Sequence, residues 1–173
     1  MTHISSKKLL TLVLTINEER KEILLGMKKR GFGVGKFNGF GGKVEKGETI
    51  EQAARRELWE ECEIKAIDLK KVGILMFTFE NNPIGLETHV YTTYSYEGIP
   101  KETEEMKPEW FPFDQIPFDK MWSDDKYWFP FLFKQQLFSG HFHFAEDQKS
   151  ILKYDLKPAT ITLKGFEPEQ VII

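Results

Sequence analysis

Glu57, Glu60 and Glu61 stand at the i, i+3 and i+4 spacing of a helix, which would bring their carboxylates onto one arc of roughly 100°. Like charges at that spacing cost an isolated helix a few tenths of a kcal/mol each. Arg56, four residues before Glu60, offsets only part of this. A hard divalent cation would account for the cluster, because Mg²⁺ takes oxygen ligands and is typically held by a few carboxylates together with substrate phosphates. The plain alternative is a solvated acidic helix face. Immediately upstream, however, lies Gly41-Gly42-Lys43-Val44-Glu45-Lys46-Gly47-Glu48. Its glycines would let a backbone carbonyl reach the same ion, and its Lys43 would face phosphate.

The element that must carry these glutamates is a helix from Ile50 to about Cys62. Thr49 with Gln52 three residues on has the form of a capping box, and the segment contains neither proline nor glycine. Ile50, Ala54, Leu58 and Cys62 form its apolar stripe, and the glutamate arc overlaps the edge of that stripe. The carboxylates should therefore gather at the core boundary.

Strands are expected around this helix. Leu9 to Ile16 and Glu22 to Lys28 flank Asn17-Glu18-Glu19-Arg20 and read as a hairpin. From Gly31 to Gly42 come six glycines in twelve residues, a density suited to tight turns or close approach to a ligand. Val72 to Glu80 and Glu87 to Glu97 read as a second hairpin across Asn81-Asn82-Pro83-Ile84-Gly85. Lys107 to Phe113 should add a short strand. Asp125 to Phe138 reads as a helix that tolerates Pro130 near its first turn. Gly140 to Phe144 and Ile151 to Leu156 alternate like a last hairpin, and Pro158 to Ile173 carries no pattern. The expected class is α+β, a mixed sheet with flanking helices.

Two familiar glycine motifs are excluded by inspection. Gly42-Lys43 is followed by Val44 rather than Ser or Thr, and Phe37 stands where a P-loop needs its first glycine. No G-x-G-x-x-G spacing occurs in Gly31 to Gly42.

What Gly42 to Ile64 does resemble is the Nudix box: glycine, five residues, glutamate, seven residues, then Arg-Glu-apolar-x-Glu-Glu-x-Gly-apolar. Here these are Gly42, Glu48 and Arg56-Glu57-Leu58-Trp59-Glu60-Glu61-Cys62-Glu63-Ile64. The one departure is Glu63, where the family has glycine. A side chain there in left-handed geometry costs on the order of 1 kcal/mol but removes no ligand. Gly26 to Gly33, Phe37 to Lys43 and Met121 to Pro130 are further similar to the branch of this family that hydrolyses oxidised purine nucleoside triphosphates. The similarity covers about residues 7 to 156 and leaves a C-terminal tail, 157–173, unexplained.

The resemblance implies an α/β/α Nudix fold in a single domain and hydrolysis of 8-oxo-dGTP and 2-oxo-dATP to monophosphate and pyrophosphate, which keeps damaged bases out of the nucleotide pool. It implies Mg²⁺, with Mn²⁺ as a substitute, on Gly42, Glu57, Glu60, Glu61 and Glu105. Glu57, Glu61 and Glu105 would be catalytic, with either Glu57 or Glu105 taking the proton of the attacking water. Asn38, Asp124 and Asp125 would read the base, Trp122 would stack on it, and Phe32, Phe77 and Phe79 would wall the pocket, with Thr11 and Lys28 also touching substrate. Leu86 stands where the family carries a methionine in the base pocket. Without the resemblance, Ser123-Asp124-Asp125 ahead of a helix reads simply as an N-cap.

Composition bounds the partners. The chain has 173 residues, 40% of them hydrophobic, enough for one well-buried core. With 24 basic and 27 acidic residues, it is an unlike match for a polyanion, so a nucleic-acid polymer is not expected and a small nucleotide is. Aromatic residues make up 14% of the chain and concentrate after residue 74, which suits either a Phe-padded core or a flat ligand. The single cysteine and the lack of a signal sequence or membrane-length apolar run point to the cytoplasm, with nuclear or mitochondrial fractions compatible, and a monomer is expected. His3, His89, His141 and His143 show no zinc-ligand spacing with Cys62.

Overall fold

A computed structural model describes residues 3–166. The first hairpin forms as expected, from β1 (Ser6–Asn17) and β2 (Glu22–Lys28), with the Arg20 N–H donating to the Asn17 side chain at 3.0 Å in the turn. The two strands pair only from Thr15–Leu24 to Asn17–Glu22 and then splay. The glycine-rich segment enters the gap. β3 (Phe37–Asn38) pairs with β2, and the chain from Phe40 to Val44 runs antiparallel to β1, with Val13 N–H to Phe40 O at 2.7 Å and Thr11 N–H to Gly42 O at 2.8 Å. Gly41 is required by this fit, since a Cβ there would lie 1.8 Å from the Thr11 carbonyl oxygen.

β5 (Lys70–Phe79) and β6 (Asn82–Thr93) form the second hairpin, with β4 (Lys65–Ala66) ahead of it and β7 (Tyr96–Glu97) after it. The hairpin is longer than expected and its turn tighter. Asn81 adopts a left-handed φ of 60°, so Glu80-Asn81 alone reverse the chain and Pro83 becomes part of the strand. β6 then runs parallel to β1, in register from Ser6–Ile84 to Thr15–Thr93. With β8 (Met106–Pro112) on the far edge of β2, β9 (Phe138–Phe144) beside β5 and β10 (Ile151–Pro158) outermost, an eight-stranded mixed sheet results.

Helix α1 (Ile50–Cys62) has the expected boundaries and the reciprocal Thr49–Gln52 capping box. It ends at Glu63, whose φ of 58° is the strained left-handed geometry expected where the family has glycine. The expected helix from Asp125 is shorter than read: α2 spans Asp125–Phe133, and Phe138 opens β9 instead. The Gln136 N–H donates to the Phe131 carbonyl at 2.9 Å while Gln135 turns left-handed at φ 52°, a Schellman-type ending that polar Lys134-Gln135-Gln136 accepts.

Strand alternation places the two helices on opposite faces of the sheet. Val13, Leu24 and Tyr91 pack with Ala54, Leu58 and Cys62 of α1. Leu14, Ile16, Ile23, Leu25 and Val90 pack with Trp128, Phe129 and Leu132 of α2. The period-two pleat of β1, β2 and β6 thus feeds two cores from adjacent residues, and the expected α/β/α sandwich follows. No helix among the described residues is long and apolar enough to cross a membrane.

Candidate active site

Arg56 organises the glutamate face. Its guanidinium forks onto Glu48 (Nη2–Oε1 2.8 Å, Nε–Oε2 3.1 Å), donates to the Lys43 carbonyl at 3.0 Å, and reaches Glu57 at 2.9 Å and Glu60 at 3.2 Å through Nη1. The planar fork ties the loop before α1 to the helix, which a point charge such as lysine could not do. The Glu48 carboxyl is held below its ordinary pKa by the hydrogen bond from Arg56. Neither residue was singled out as functional in the sequence beyond membership of the box, and only the tertiary contact reveals their role.

Glu61 differs from its neighbours. It is 5% exposed, and it accepts the Gly41 N–H at 2.8 Å. Burial pushes its carboxyl up to about 7, against the pull of that N–H and of the Lys28 charge, while Glu57 and Glu105 add like-charge repulsion. Glu57 is also raised, mainly by burial. Gly42 faces it so closely that a Cβ would sit 2.6 Å from the Glu57 carboxyl carbon. Glu60 is largely exposed. Glu105, in the loop before β8, is drawn to the Arg30 side chain, with Nε–Oε1 3.0 Å, and lies 3.8 Å from Lys28 Nζ; the Arg30 hydrogen bond holds its carboxyl below the usual range. As held by the two arginines, the glutamates do not already converge: among the described residues no three carboxylate, imidazole or thiol groups stand ready to ligate one ion.

The residues nevertheless fit a hard cation. Glu57 and Glu61 are carboxylates raised by burial, and Glu61 is raised further by the charges of Glu57 and Glu105; a dication would relieve both effects. The donor set is all oxygen.

Glu61 and Gly42 open onto a cavity of about 450 Å³, within the range of small-molecule sites. Thr11, Lys28, Phe32, Asn38, Phe77, Phe79, Trp122, Asp124 and Asp125 all line it, so every substrate residue expected from the sequence is brought to one space. Glu57, Glu60 and Glu105 lie outside its lining. Leu86 does line it, as do Lys43, expected to face phosphate, and Lys8, Lys36 and Gln148, to which the sequence assigned no role. Phe32 stacks on Trp122 with centroids 5.0 Å apart, and the Lys36 ammonium sits 5.2 Å from the centre of the Trp122 ring. The Asn38 side-chain oxygen accepts the Gly39 N–H at 2.9 Å, which directs its amide.

The aspartate pair corrects the simple capping view. Asp124 occupies the N-cap position of α2, but its side chain makes no capping hydrogen bond; it accepts the Trp128 indole N–H at 2.8 Å instead. Ser123 likewise turns away and donates to the Lys149 carbonyl at 2.6 Å. Both aspartates are buried, and the Asp125 Oδ2 atom has no hydrogen-bond partner among the described residues. Burial raises both carboxyls above the ordinary range, and at Asp125 the neighbouring Asp124 charge raises it further. A pair of this kind binds a proton readily and can present a donor beside an acceptor. A buried carboxylate oxygen without a partner, on a residue that lines a cavity, keeps hydrogen-bonding capacity that a ligand could satisfy.

The comparisons with known proteins agree with this geometry. Residues 7–132 match the family described as NUDIX domain. The chain is 50% identical to the oxidized purine nucleoside triphosphate hydrolase of Mus musculus, over 89% of this chain and 97% of that one. It is 52% identical to the protein of the same name from Danio rerio, over 80% of this chain and 88% of that one. Among solved structures, a MutT protein from Bacillus halodurans superimposes with a TM-score of 0.77 at 28% identity, covering 88% of this chain and 99% of that chain. With the box glutamates in place on α1, the sandwich formed and the family match spanning most of its length, the chain belongs to the NUDIX domain family.

Proposed function

We propose that this protein hydrolyses oxidised purine nucleoside triphosphates, such as 8-oxo-dGTP and 2-oxo-dATP, to the monophosphate and pyrophosphate, and so keeps damaged bases out of the nucleotide pool. The observation that carries the reading is the single cavity onto which both Glu61 and the buried Asp124–Asp125 pair open. The first belongs with phosphate chemistry and the second with recognition of a heterocycle. The names of the mouse and zebrafish relatives support the same substrate class.

In this reading Lys28, Lys43 and Lys8 receive the triphosphate, and Gly42, Glu57, Glu60, Glu61 and Glu105 hold Mg²⁺ or, in its place, Mn²⁺. The ion, when bound, polarises phosphate oxygens and lowers the pKa of the attacking water. Glu57 or Glu105 takes the proton from that water. Arg56 keeps Glu57 and Glu60 on one face of α1. Trp122 stacks on the base, Phe32, already packed on the Trp122 ring, walls the pocket with Phe77, Phe79 and Leu86, and Thr11 also touches substrate. The aspartate pair, sharing one proton, serves purines whose edges present different donors and acceptors; Asn38 supplies an amide beside it. Balanced charge supports a small nucleotide rather than a nucleic-acid polymer as substrate, and the single cysteine supports a reducing, cytoplasmic compartment.

The test is pyrophosphate release with Mg²⁺ from 8-oxo-dGTP, 2-oxo-dATP, O6-methyl-dGTP and dGTP, for the wild type and Glu61→Gln. Preference for the oxidised purines, abolished by the substitution, is the expected result. Turnover of none of them would overturn the reading.

A further inference from the structure

The turn between β9 and β10 carries a polar side chain that the site described so far does not use. Gln148 is half-buried, whereas Glu146, Asp147, Lys149 and Ser150 around it are exposed. It lines the cavity. Its own N–H donates to the Ala145 carbonyl at 3.0 Å, but its side-chain amide makes no hydrogen bond among the described residues. A half-buried amide with both donor and acceptor free is a group that a ligand can satisfy.

The backbone holds it there at a cost. Gln148 has φ 60°, left-handed geometry that favours glycine or asparagine. The turn is locked around it: the Asp147 carboxylate accepts both the Lys149 and Ser150 N–H groups at 2.8 Å and the Ser150 hydroxyl at 2.6 Å. The bond from Ser123 Oγ to the Lys149 carbonyl then fastens the turn to the loop that carries Trp122 and Asp124. That contact bonds the residue after Gln148 to the residue before Asp124, which ties the Gln148 turn to the part of the cavity wall that carries the aspartate pair. Strain held by surrounding bonds at a cavity wall is a reason to look for function.

We infer that Gln148 is a further base-binding residue whose side-chain amide hydrogen-bonds the heterocycle of the bound nucleotide. This rests on the proposed function. Being neutral, the amide offers a donor and an acceptor at every pH, unlike the aspartate pair, so it serves either class of oxidised purine and adds grip rather than choice of protonation state. It has no part in holding the triphosphate.

The experiment compares wild type, Gln148→Ala and Gln148→Gly, the glycine variant relieving the backbone strain while removing the amide. For 8-oxo-dGTP and 2-oxo-dATP, KM should rise about 3- to 10-fold in both variants, the size of one hydrogen bond, with kcat within about twofold of wild type. Competitive inhibition by inorganic tripolyphosphate, which lacks a base, should keep its wild-type constant. Unchanged KM in both variants would overturn the inference while leaving the proposed function intact. A rise in KM matched by weaker tripolyphosphate inhibition would also overturn it, because the turn would then act by holding the cavity's shape. If wild type turns over none of the nucleotides, the proposed function falls and the inference with it.

Discussion

The indole N–H of Trp128 points back along the first turn of α2 to the carboxylate of Asp124, 2.8 Å away, so a core residue of one helix layer fixes a polar group of the cavity. Trp128 is 1% exposed and packs on Phe129 and Phe138, which leaves its indole no freedom to turn. Trp128→Phe keeps much of the packing and removes the donor. Asp124, buried and without that donor, should titrate higher still, and the loss of a hydrogen bond to a charged group should cost about 1.5–3 kcal/mol. Urea melts should register the loss, and the pH dependence of KM for 8-oxo-dGTP should move upward.

Asp124→Asn isolates the cost of charge. The folded-state pKa of Asp124 is raised above its unfolded value, so the folded protein binds more protons and stability falls as pH rises through the folded-state pKa. Asparagine keeps an acceptor for Trp128 and cannot ionise. The variant should therefore be more stable than wild type at pH 8, with the gap shrinking to nothing below the ordinary carboxylate pKa, while turnover drops by tenfold or more on the order expected for a lost base contact. Thermal melts across that pH range, alongside pyrophosphate release, check both halves.

Metal binding should weaken in acid. Glu61 has its carboxyl at about 7, and a protonated carboxyl is a poor ligand. Below that value each pH unit should cost up to about tenfold in apparent Mg²⁺ affinity. The thermal shift given by a fixed Mg²⁺ concentration should be larger at pH 8 than at pH 6, and Glu61→Gln should flatten the difference.

Glu63→Gly tests the single departure from the box. The left-handed φ of 58° favours glycine by about 1 kcal/mol, and the ion pair to Lys101 at 3.3 Å is exposed enough to offset only a fraction of that. The variant should melt higher with unchanged kcat. Gly41→Ala should do the reverse: a methyl 1.8 Å from the Thr11 carbonyl oxygen cannot be housed without moving β1, and soluble yield should collapse.

Local chemistry was legible wherever it repeats over one turn or one pleat. The capping box at Thr49, the apolar stripe through Leu58 and the strands on either side of Asn17 follow from local contacts and formed as read, whereas the glutamates share α1 without converging, Glu61 buried and Glu60 largely exposed. The cavity wall from Thr11 to Asp125 was legible through similarity of motif, and those residues do meet. Other features needed the third dimension. Whether α2 stopped at Phe133 depended on a Schellman turn and on β9 being wanted beside β5. Asp124 gave up its capping role because Trp128, one turn later, offered a better partner in a dry site. Arg56 became a hub only when Glu48 and the Lys43 carbonyl folded back over the helix. Gln148 reached the cavity only because β9 lies parallel to β5 and delivers its turn next to Ser123. Period and capping are written in neighbouring residues; register, parallel pairing and the desolvation that moves a pKa arise from residues far apart in the chain, and these only the packed structure decides.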